Sequence, residues 1–390
     1  MGKKTVSNLL VQTRAAAVVE PHSLLEINKL ETTTLETSSI ETRNALLREV
    51  QRGLLRRPRS LAPWMFYDAH GSRLFERITA LPEYYPTRTE RKIFANCAEA
   101  IITAARAGKP ESLRLVELGA GSASKTGILL DAIVDMQGEA LYMPVDISSD
   151  ALDMACESIA CSLPEVRVEP IVANYVAYPP QLEPLNGPTL AMYIGSSIGN
   201  FSPEEARTIL RNLGSQLRAG DALLLGTDLL KDEPTLVAAY DDGDGVTAAF
   251  NLNILHRLNR ELGADFDPAN FRHRAVWNRV ESRIEMHLES TRDHRVCIPC
   301  ARLNLHFAKG ETIHTENSYK FTRPAIRSLL EDAGFDVEQT WMDDRRWYAV
   351  TLARVGKEPN EYQADVCAGS QVSDLVAELP DPASAIRLVA

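Results

Sequence analysis

Long apolar runs are absent from this sequence. No stretch approaches the roughly 18 apolar residues that a membrane-spanning helix needs, and the N-terminus has no apolar block like that of a secretory signal. Residues 1–6 also fail the N-myristoylation pattern, because Val6 stands where that pattern requires serine or threonine. We therefore expect a soluble cytoplasmic protein that has no membrane partner.

Positive charge is scarce as well. The 390 residues include 42 lysines and arginines against 53 aspartates and glutamates, which gives a net charge of -11 at pH 7. Binding to a nucleic-acid backbone depends on an excess of clustered basic residues that neutralise phosphates. The acidic composition therefore argues against a nucleic-acid partner.

Cysteines are few, six in the whole chain, and their scatter is unlike a disulfide framework. Cys297 and Cys300 have the spacing of a metal or redox pair, but the apolar residues around them predict a strand. Residues three apart on a strand point to opposite faces, so this pair is poorly placed to chelate. Because no second pair stands at zinc spacing and no HExxH motif occurs, we expect no metal site.

A glycine-containing turn is the most informative feature that the sequence does contain. Residues 116–125 read Val-Glu-Leu-Gly-Ala-Gly-Ser-Ala-Ser-Lys, between a short apolar segment and a segment with helical spacing. Gly119 and Gly121 therefore fall in a strand-to-helix turn, where glycine allows the backbone to approach a ligand closely.

The spacing in this turn selects among nucleotide-like ligands. A phosphate-binding loop requires a different spacing that ends in Gly-Lys-Ser/Thr, and a dinucleotide loop requires a third glycine where Ser124 stands. The absence of the third glycine disfavours a nicotinamide dehydrogenase. The remaining pattern, E-x-G-x-G, is typical of S-adenosylmethionine (SAM) methyltransferases, in which the acid and the glycines meet the amino acid and ribose of SAM. A turn without a ligand is the alternative.

Strands and helices then alternate along the chain, which predicts a doubly wound α/β fold. Asp146 ends the second strand, 25 residues after Gly121, and is positioned to accept hydrogen bonds from ribose hydroxyls. Asn174 and Tyr175 follow the third strand, where an adenine could be bound at its edge and stacked. The predicted strands after the turn are 140–146, 166–172, 190–194 and 221–228.

The alternation stops after residue 229, and antiparallel strand patterns follow until about residue 320. We interpret this segment as an inserted α+β region that builds the substrate side. The predicted organisation is a flexible arm at 1–47, a substrate-binding domain at 48–94 plus 230–320, a methyltransferase core at 95–229 plus 321–356, and a tail at 357–390.

Eight ordered motifs together resemble the histidine Nα-methyltransferases of ergothioneine biosynthesis, from about residue 48 to residue 355. The motifs are Tyr-Asp at 67–68, LPEYYPTR at 81–88, ELGAG at 117–121, GSSIGN at 195–200, GTDL at 226–229, AYDD at 239–242, GVTAAFN at 245–251 and TENSYKF at 315–321. The resemblance implies a Rossmann-like class I core and methyl transfer from SAM.

The resemblance also implies roles for individual residues. The residues bordering SAM would be Tyr67, Gly119, Lys125, Asp146, Asn174 and Tyr175. The catalytic residues holding the amino and carboxylate groups of the substrate would be Tyr84, Asn200 and Tyr240, with Gly195 and Thr247 nearby. Glu316 and Ser318 would bind the imidazole, beside Met286. The family often has aspartate at Asn174, whose amide oxygen can still accept from an adenine amino group.

The implied reaction is trimethylation of the α-amino group of L-histidine, which gives the betaine hercynine. The sulfonium methyl of SAM is already activated, so the transfer needs positioning and desolvation but no metal. Two alternatives remain: an N-methyltransferase of another aromatic amino acid, such as a tryptophan derivative or tyrosine, and a non-catalytic SAM-binding protein. Selectivity for histidine is expected from Glu316, and the protein is expected to be a monomer.

Overall fold

The computed structural model describes residues 42–121, 123, 125–146, 149–176, 179–182 and 186–356. The segments 1–41 and 357–390, which hold most of the predicted arm and all of the predicted tail, lie outside the described residues. The elements, in chain order, are α1 (42–55), β1 (Arg59–Ser60), α2 (Ala69–Thr79), α3 (Tyr85–Arg106), β2 (Arg114–Leu118), α4 (Thr126–Gln137), β3 (Ala140–Asp146), α5 (Ser149–Ser162), β4 (Val166–Val168), β5 (Ile171–Val172), β6 (Thr189–Tyr193), α6 (Pro203–Gly214), β7 (Ala222–Asp228), α7 (Glu233–Ala238), α8 (Val246–Leu262), β8 (Phe271–Asn278), β9 (Arg283–Ser290), β10 (His294–Ile298), β11 (Leu303–Phe307), β12 (Thr312–Tyr319), α9 (Arg323–Asp332), β13 (Phe335–Met342) and β14 (Tyr348–Val355).

The larger sheet has the strand order β13-β14-β7-β6-β2-β3-β4, and β5 also pairs with β3. The strands from β7 to β4 run parallel, whereas β14 is antiparallel to both of its neighbours. The strand order reverses between β2 and β6, which makes the carboxyl ends of these two strands the expected ligand crevice. The predicted doubly wound, Rossmann-like class I architecture is confirmed.

Helices cover both faces of this sheet, as its sequence requires. Every residue of β2, β6 and β7 is buried, as is usual for parallel strands that are covered on both faces, and most of these residues are apolar. Apolar side chains of α3, α4 and α5 pack on one face. Those of α6 and α9 pack on the other.

A second, smaller sheet lies in the region inserted after β7. Its order is β1-β12-β9-β8, and β10 and β11 form a separate antiparallel hairpin. Helices α1, α2 and α8 share one apolar core with this sheet. The insertion is therefore an α+β unit whose apolar core also includes residues of the chain before α3.

Two predicted boundaries and one predicted strand differ from the structure. Helix α1 begins at residue 42, and Leu46 is fully buried, so 42–47 is folded and not part of an arm. Residue 94 lies inside α3, whose Ile93 and Phe94 pack against the larger sheet. The strand expected at 166–172 is interrupted, because β4 and β5 pair with different parts of β3.

Among the helices of the described residues, none combines the length and the apolar character that a membrane-spanning segment needs.

Candidate active site

A cavity of about 570 Å³, counted with its opening to solvent, lies where the two sheets meet. It brings together side chains from α2, α3, α8, β9 and β12 and from the loops after β6 and α7. All eight residues that the sequence assigned to the substrate lie on its wall: Tyr84, Gly195, Asn200, Tyr240, Thr247, Met286, Glu316 and Ser318. Tyr67, predicted beside the cofactor, lines the same cavity together with Phe75 and Phe250.

Aromatic packing fixes one side of this cavity. Tyr84 directly precedes α3, and its ring meets that of Tyr240 edge-on at 6.1 Å between centroids. The ring of Tyr67 makes edge-on contacts with Phe75 at 5.8 Å and with Phe250 at 5.7 Å. Phenol groups held in this way present fixed hydroxyls to a polar ligand.

The loop after β6 supplies Gly195 and Asn200. Gly195 has φ 76° and Ser196 has φ 59°, a left-handed pair that turns the chain into the short 3-10 helix Ser197–Asn200. Both carboxylate oxygens of Glu90 accept from the Gly195 N–H at 3.0 Å. The turn therefore depends on a buried acid of α3 as well as on glycine.

Thr247 lies in the first turn of α8, where Asp242 holds the helix end. The Asp242 carboxylate accepts from the N–H groups of Val246 at 2.8 Å and Thr247 at 2.7 Å. These bonds satisfy donors that have no partner inside the helix. The AYDD and GVTAAFN motifs are thus one structural unit.

Glu316 brings a carboxylate to the wall of the cavity. It lies on β12 just after an irregularity in register and is the cross-strand partner of Met286 on β9. Its side chain is largely buried, and within the described residues no group donates a hydrogen bond to its carboxylate. Burial raises the pKa of Glu316 to about 7, although the positive charge of Lys320 opposes this shift.

A buried charge cluster lies behind Tyr240 and Ser318. Asp228 accepts from Lys320 at 2.8 Å, from Lys231 at 2.5 Å and from the Tyr85 hydroxyl at 2.7 Å. Burial alone would raise the pKa of Asp228, but the two ammonium groups hold it below its usual value. Burial lowers the pKa of Lys231 to about 8.

Apart from Tyr67, the residues predicted at the cofactor do not line this cavity and lie along the carboxyl edge of the larger sheet. Gly119 follows β2, Asp146 ends β3, and Asn174 and Tyr175 follow β5. Gly119 has φ 67°, which favours glycine, and a β-carbon there would lie 2.9 Å from the Tyr175 hydroxyl. This edge is the crevice in which doubly wound folds bind nucleosides.

Lys125 and Glu90 connect the two sides of the site. The Lys125 ammonium is paired with Glu90. A β-carbon on Gly195 would lie 3.3 Å from that ammonium. Glu90 therefore bonds a group on the glycine turn after β2 and another on the loop after β6, and it also accepts from the Tyr348 hydroxyl at 2.8 Å.

The acid of the E-x-G-x-G pattern faces the protein interior. Glu117 is buried beneath the turn, where its carboxylate accepts from the hydroxyls of Thr126 and Tyr142. Burial raises the pKa of Glu117 to about 7, although both hydrogen bonds oppose the shift. The expectation that this acid meets SAM is wrong because its side chain points from β2 toward α4.

Sequence reasoning also missed Glu90, Asp228 and Lys320. Glu90 lies in an ordinary helical pattern, and nothing in the sequence distinguishes it from surface acids. Asp228 and Lys320 stand inside the GTDL and TENSYKF motifs, and their position there was the available signal. Only the fold shows that the two motifs meet, through an isolated bridge between Leu229 and Phe321.

The fold, the glycine turn at the switch point and the adjoining cavity define a class I SAM-dependent methyltransferase. More narrowly, the chain belongs to the histidine-specific, SAM-dependent methyltransferase family, whose model matches residues 46–355. This agrees with the family resemblance found in the sequence.

Relatives support the assignment over most of the chain. The chain is 42% identical to the histidine N-alpha-methyltransferase of Mycolicibacterium smegmatis, with 79% of this chain and 94% of the relative covered. It is 40% identical to the protein of the same name in Mycobacterium tuberculosis, with the same coverage. A more distant relative, 26% identical over 77% of this chain and 92% of its own length, is the 4-dimethylallyltryptophan N-methyltransferase easF of Claviceps purpurea.

Proposed function

We propose that this chain transfers three methyl groups from SAM to the α-amino group of L-histidine and releases hercynine, the first step toward ergothioneine. The observation that carries the proposal is the buried Glu316 carboxylate, which faces the cavity without a hydrogen-bond donor among the described residues. A ligand that fills the cavity and displaces water from this acceptor must supply a donor in its place, since leaving the carboxylate unpaired costs about 1 to 3 kcal/mol or more.

An imidazole ring matches the surroundings of this carboxylate. Its N–H can donate to Glu316 while its ring carbons lie against the apolar Met286 side chain, which is the cross-strand neighbour. A phenyl ring offers no donor and would leave the carboxylate unpaired. Ser318 lies two residues further along β12 and can contact the second ring nitrogen.

The other end of the substrate is assigned to Tyr84, Asn200 and Tyr240. Each carries a hydroxyl or amide group on the cavity wall, and these groups can bind an α-carboxylate and an amine. Anchoring both ends of the substrate is useful for repeated methylation, because each transfer removes an N–H donor from the amine. The quaternary product has no lone pair, so the reaction stops after three transfers.

The donor side is assigned to residues along the carboxyl edge of the larger sheet. Gly119, with its left-handed φ, gives the close backbone approach that a nucleoside ligand needs. Asp146 would bind the ribose, Asn174 and Tyr175 the adenine, and Lys125 and Tyr67 would border the amino-acid part. When bound, SAM supplies an activated methyl group that needs no metal.

The protein's own groups therefore position the reactants and exclude water from them. Burial and the neighbouring Tyr240 and Glu316 raise the pKa of Tyr84 well above its usual value, so its hydroxyl keeps its proton. Tyr84 consequently acts as a hydrogen-bonding group for the amine, and each amine proton leaves to solvent or to a bound water before transfer.

We also propose that substrate binding and donor binding belong to the two regions predicted from the sequence, with the boundaries moved to the ends of the helices. Residues 42–84 and 230–320 would supply the substrate side, and residues 85–229 and 321–356 would bind the donor. The net charge of -11 supports a protein without nucleic-acid partners. Because one chain supplies all the assigned groups, we propose that it acts as a monomer, in the cytoplasm.

Mass spectrometry after incubation with SAM and each of the twenty amino acids tests this proposal. Histidine should gain three methyl groups, and tryptophan, tyrosine and phenylalanine should remain largely unmodified. Preferential methylation of tryptophan would favour the rival activity. Binding of SAM without any methylated amino acid would favour a non-catalytic protein.

A further inference from the structure

Lys320 lies directly behind the cavity without lining it. Its side chain is fully buried. The ammonium is 2.8 Å from Asp228 Oδ2, 2.9 Å from Tyr240 Oη and 2.8 Å from Ser318 Oγ. An ammonium has three N–H donors, and each of these three oxygens can take one. Both hydroxyl oxygens on the cavity wall therefore accept from the same buried cation.

The two hydroxyls are also bonded to each other. Tyr240 Oη and Ser318 Oγ are 2.6 Å apart, and each group has a single proton. Burial, Asp228 and Glu316 raise the pKa of Tyr240 well above its usual value, so the phenol keeps its proton. One of the two protons is used within the pair, which leaves one O–H to point into the cavity.

Asp228 holds this arrangement in place from behind. It binds Lys320 and Lys231 through different carboxylate oxygens and accepts from the Tyr85 hydroxyl through both. The Asp228 side chain is 1% exposed, so its position is fixed by these partners. The Lys320 ammonium is thus anchored on the side opposite the cavity.

We infer that Lys320 is a positioning residue for the substrate carboxylate: by donating to both Tyr240 and Ser318, it commits that hydroxyl pair to present one O–H donor to the cavity. The inference rests on the proposed function, in which Tyr240 binds the main-chain end of an amino acid. A carboxylate accepts hydrogen bonds only, so it selects the arrangement in which Ser318 donates to Tyr240 and Tyr240 donates to the ligand. Ser318 then keeps a lone pair for a ring N–H.

The chain provides a matched control in Lys231. Both lysines bind Asp228, but Lys231 bonds Tyr85 Oη and Leu229 O and contacts neither cavity hydroxyl. Lys320→Met and Lys231→Met each leave one lysine paired with Asp228, so the two variants disturb the buried charge to a similar degree. Only Lys320→Met releases the Tyr240–Ser318 pair.

The experiment compares the two variants with the wild type in steady-state kinetics with histidine and in titration with S-adenosylhomocysteine. The experiment also measures the inhibition constant of histamine, which has the imidazole and the amine of histidine but no carboxylate. Lys320→Met should raise KM for histidine roughly 10- to 100-fold, the loss expected for a charge-assisted hydrogen bond. Its kcat, its affinity for S-adenosylhomocysteine and its histamine inhibition constant should change less than about threefold. Lys231→Met should leave all four values within about threefold.

Equal losses in the two lysine variants, or equal losses for histidine and histamine in Lys320→Met, would overturn the inference and leave Lys320 a structural residue. If Lys320→Met does not fold, the same comparison is made with Lys320→Gln, which keeps one neutral donor. The wild-type measurement separates a failure of this inference from a failure of the proposed function. If the wild type does not methylate histidine, the proposed function fails before any variant is compared.

Discussion

Glu316 and Met286 are cross-strand partners on β12 and β9, and both side chains line the same cavity. A buried acceptor beside a soft apolar side chain matches an aromatic ring that carries an N–H donor. The irregularity in register between His314 and Glu316 brings this carboxylate beside Met286. Under the proposed function, the specificity for histidine would therefore originate in the small inserted sheet and not in the methyltransferase core.

Replacing this acceptor should weaken selection of histidine. We predict that Glu316→Ala lowers kcat/KM for histidine about 10- to 100-fold, because a hydrogen bond to a buried charged group contributes roughly 1.5 to 3 kcal/mol. The ratio of kcat/KM for histidine to kcat/KM for phenylalanine or tryptophan should fall at the same time. Kinetics with the three amino acids test this. Glu289→Gln is the control, since Glu289 is on the same sheet but is paired with Arg272 and Arg274.

The same carboxylate should impose a pH dependence on histidine use. The pKa of Glu316 is about 7, so its carboxylate form is lost as the pH falls through 7. The ratio of kcat/KM for wild type to that for Glu316→Gln should therefore rise between pH 6 and pH 8. Ionisations of histidine itself cancel in this ratio. A ratio independent of pH would show that ionised Glu316 is not required.

Glu90 should affect both halves of the site, because it accepts from the Lys125 ammonium and from the Gly195 N–H. We predict that Glu90→Gln weakens binding of S-adenosylhomocysteine and of histidine, each by about 5- to 50-fold, because the amide lacks the negative charge that pairs with Lys125 and has one acceptor oxygen fewer. Calorimetric titration measures both. Tyr348→Phe, which removes a single donor to Glu90, should change either affinity less than about threefold. A loss confined to one ligand would contradict this connecting role.

Glu117 should make the free energy of unfolding depend on pH. Its pKa in the folded chain is about 7, above the ordinary value of 4.5, so the folded state holds a proton that the unfolded state releases in that interval. The associated stability is complete below pH 4.5 and is lost as the pH rises to 7. Relative to Glu117→Gln, the wild type should lose on the order of 2 kcal/mol of unfolding free energy from pH 5 to pH 7.5. Urea unfolding without ligands tests this, and equal losses in both proteins would refute it.

Much of the fold followed from local sequence patterns. The apolar strands, the turn at Gly119 and the acid at Asp146 occur in an order that only a doubly wound sheet accommodates. The split between β4 and β5 did not follow, because apolar spacing within one strand does not reveal which part of β3 each half pairs with. The predicted domain boundary at residue 94 was wrong for a related reason. Helix α3 is continuous through this residue, and only its packing shows that it belongs with the larger sheet.

For the site, the sequence indicated the residues that occur in recognisable motifs. It did not indicate which buried residues contact them. Glu316 was found through the TENSYKF motif, but its burial depends on cross-strand pairing with residues some 30 positions away. Lys320 and Asp228 are 92 residues apart and meet only where β7 and the end of β12 come together. Glu117 shows the opposite error, since its motif suggested a ligand contact while its side chain points into the core.

A crystal structure with histidine and S-adenosylhomocysteine bound tests the central claim most directly. We predict that an imidazole nitrogen lies within about 2.6 to 3.2 Å of a Glu316 carboxylate oxygen, with the α-carboxylate at Tyr240 and the amine directed toward the sulfur. A complex in which the ring binds elsewhere and Glu316 contacts only solvent would contradict the account.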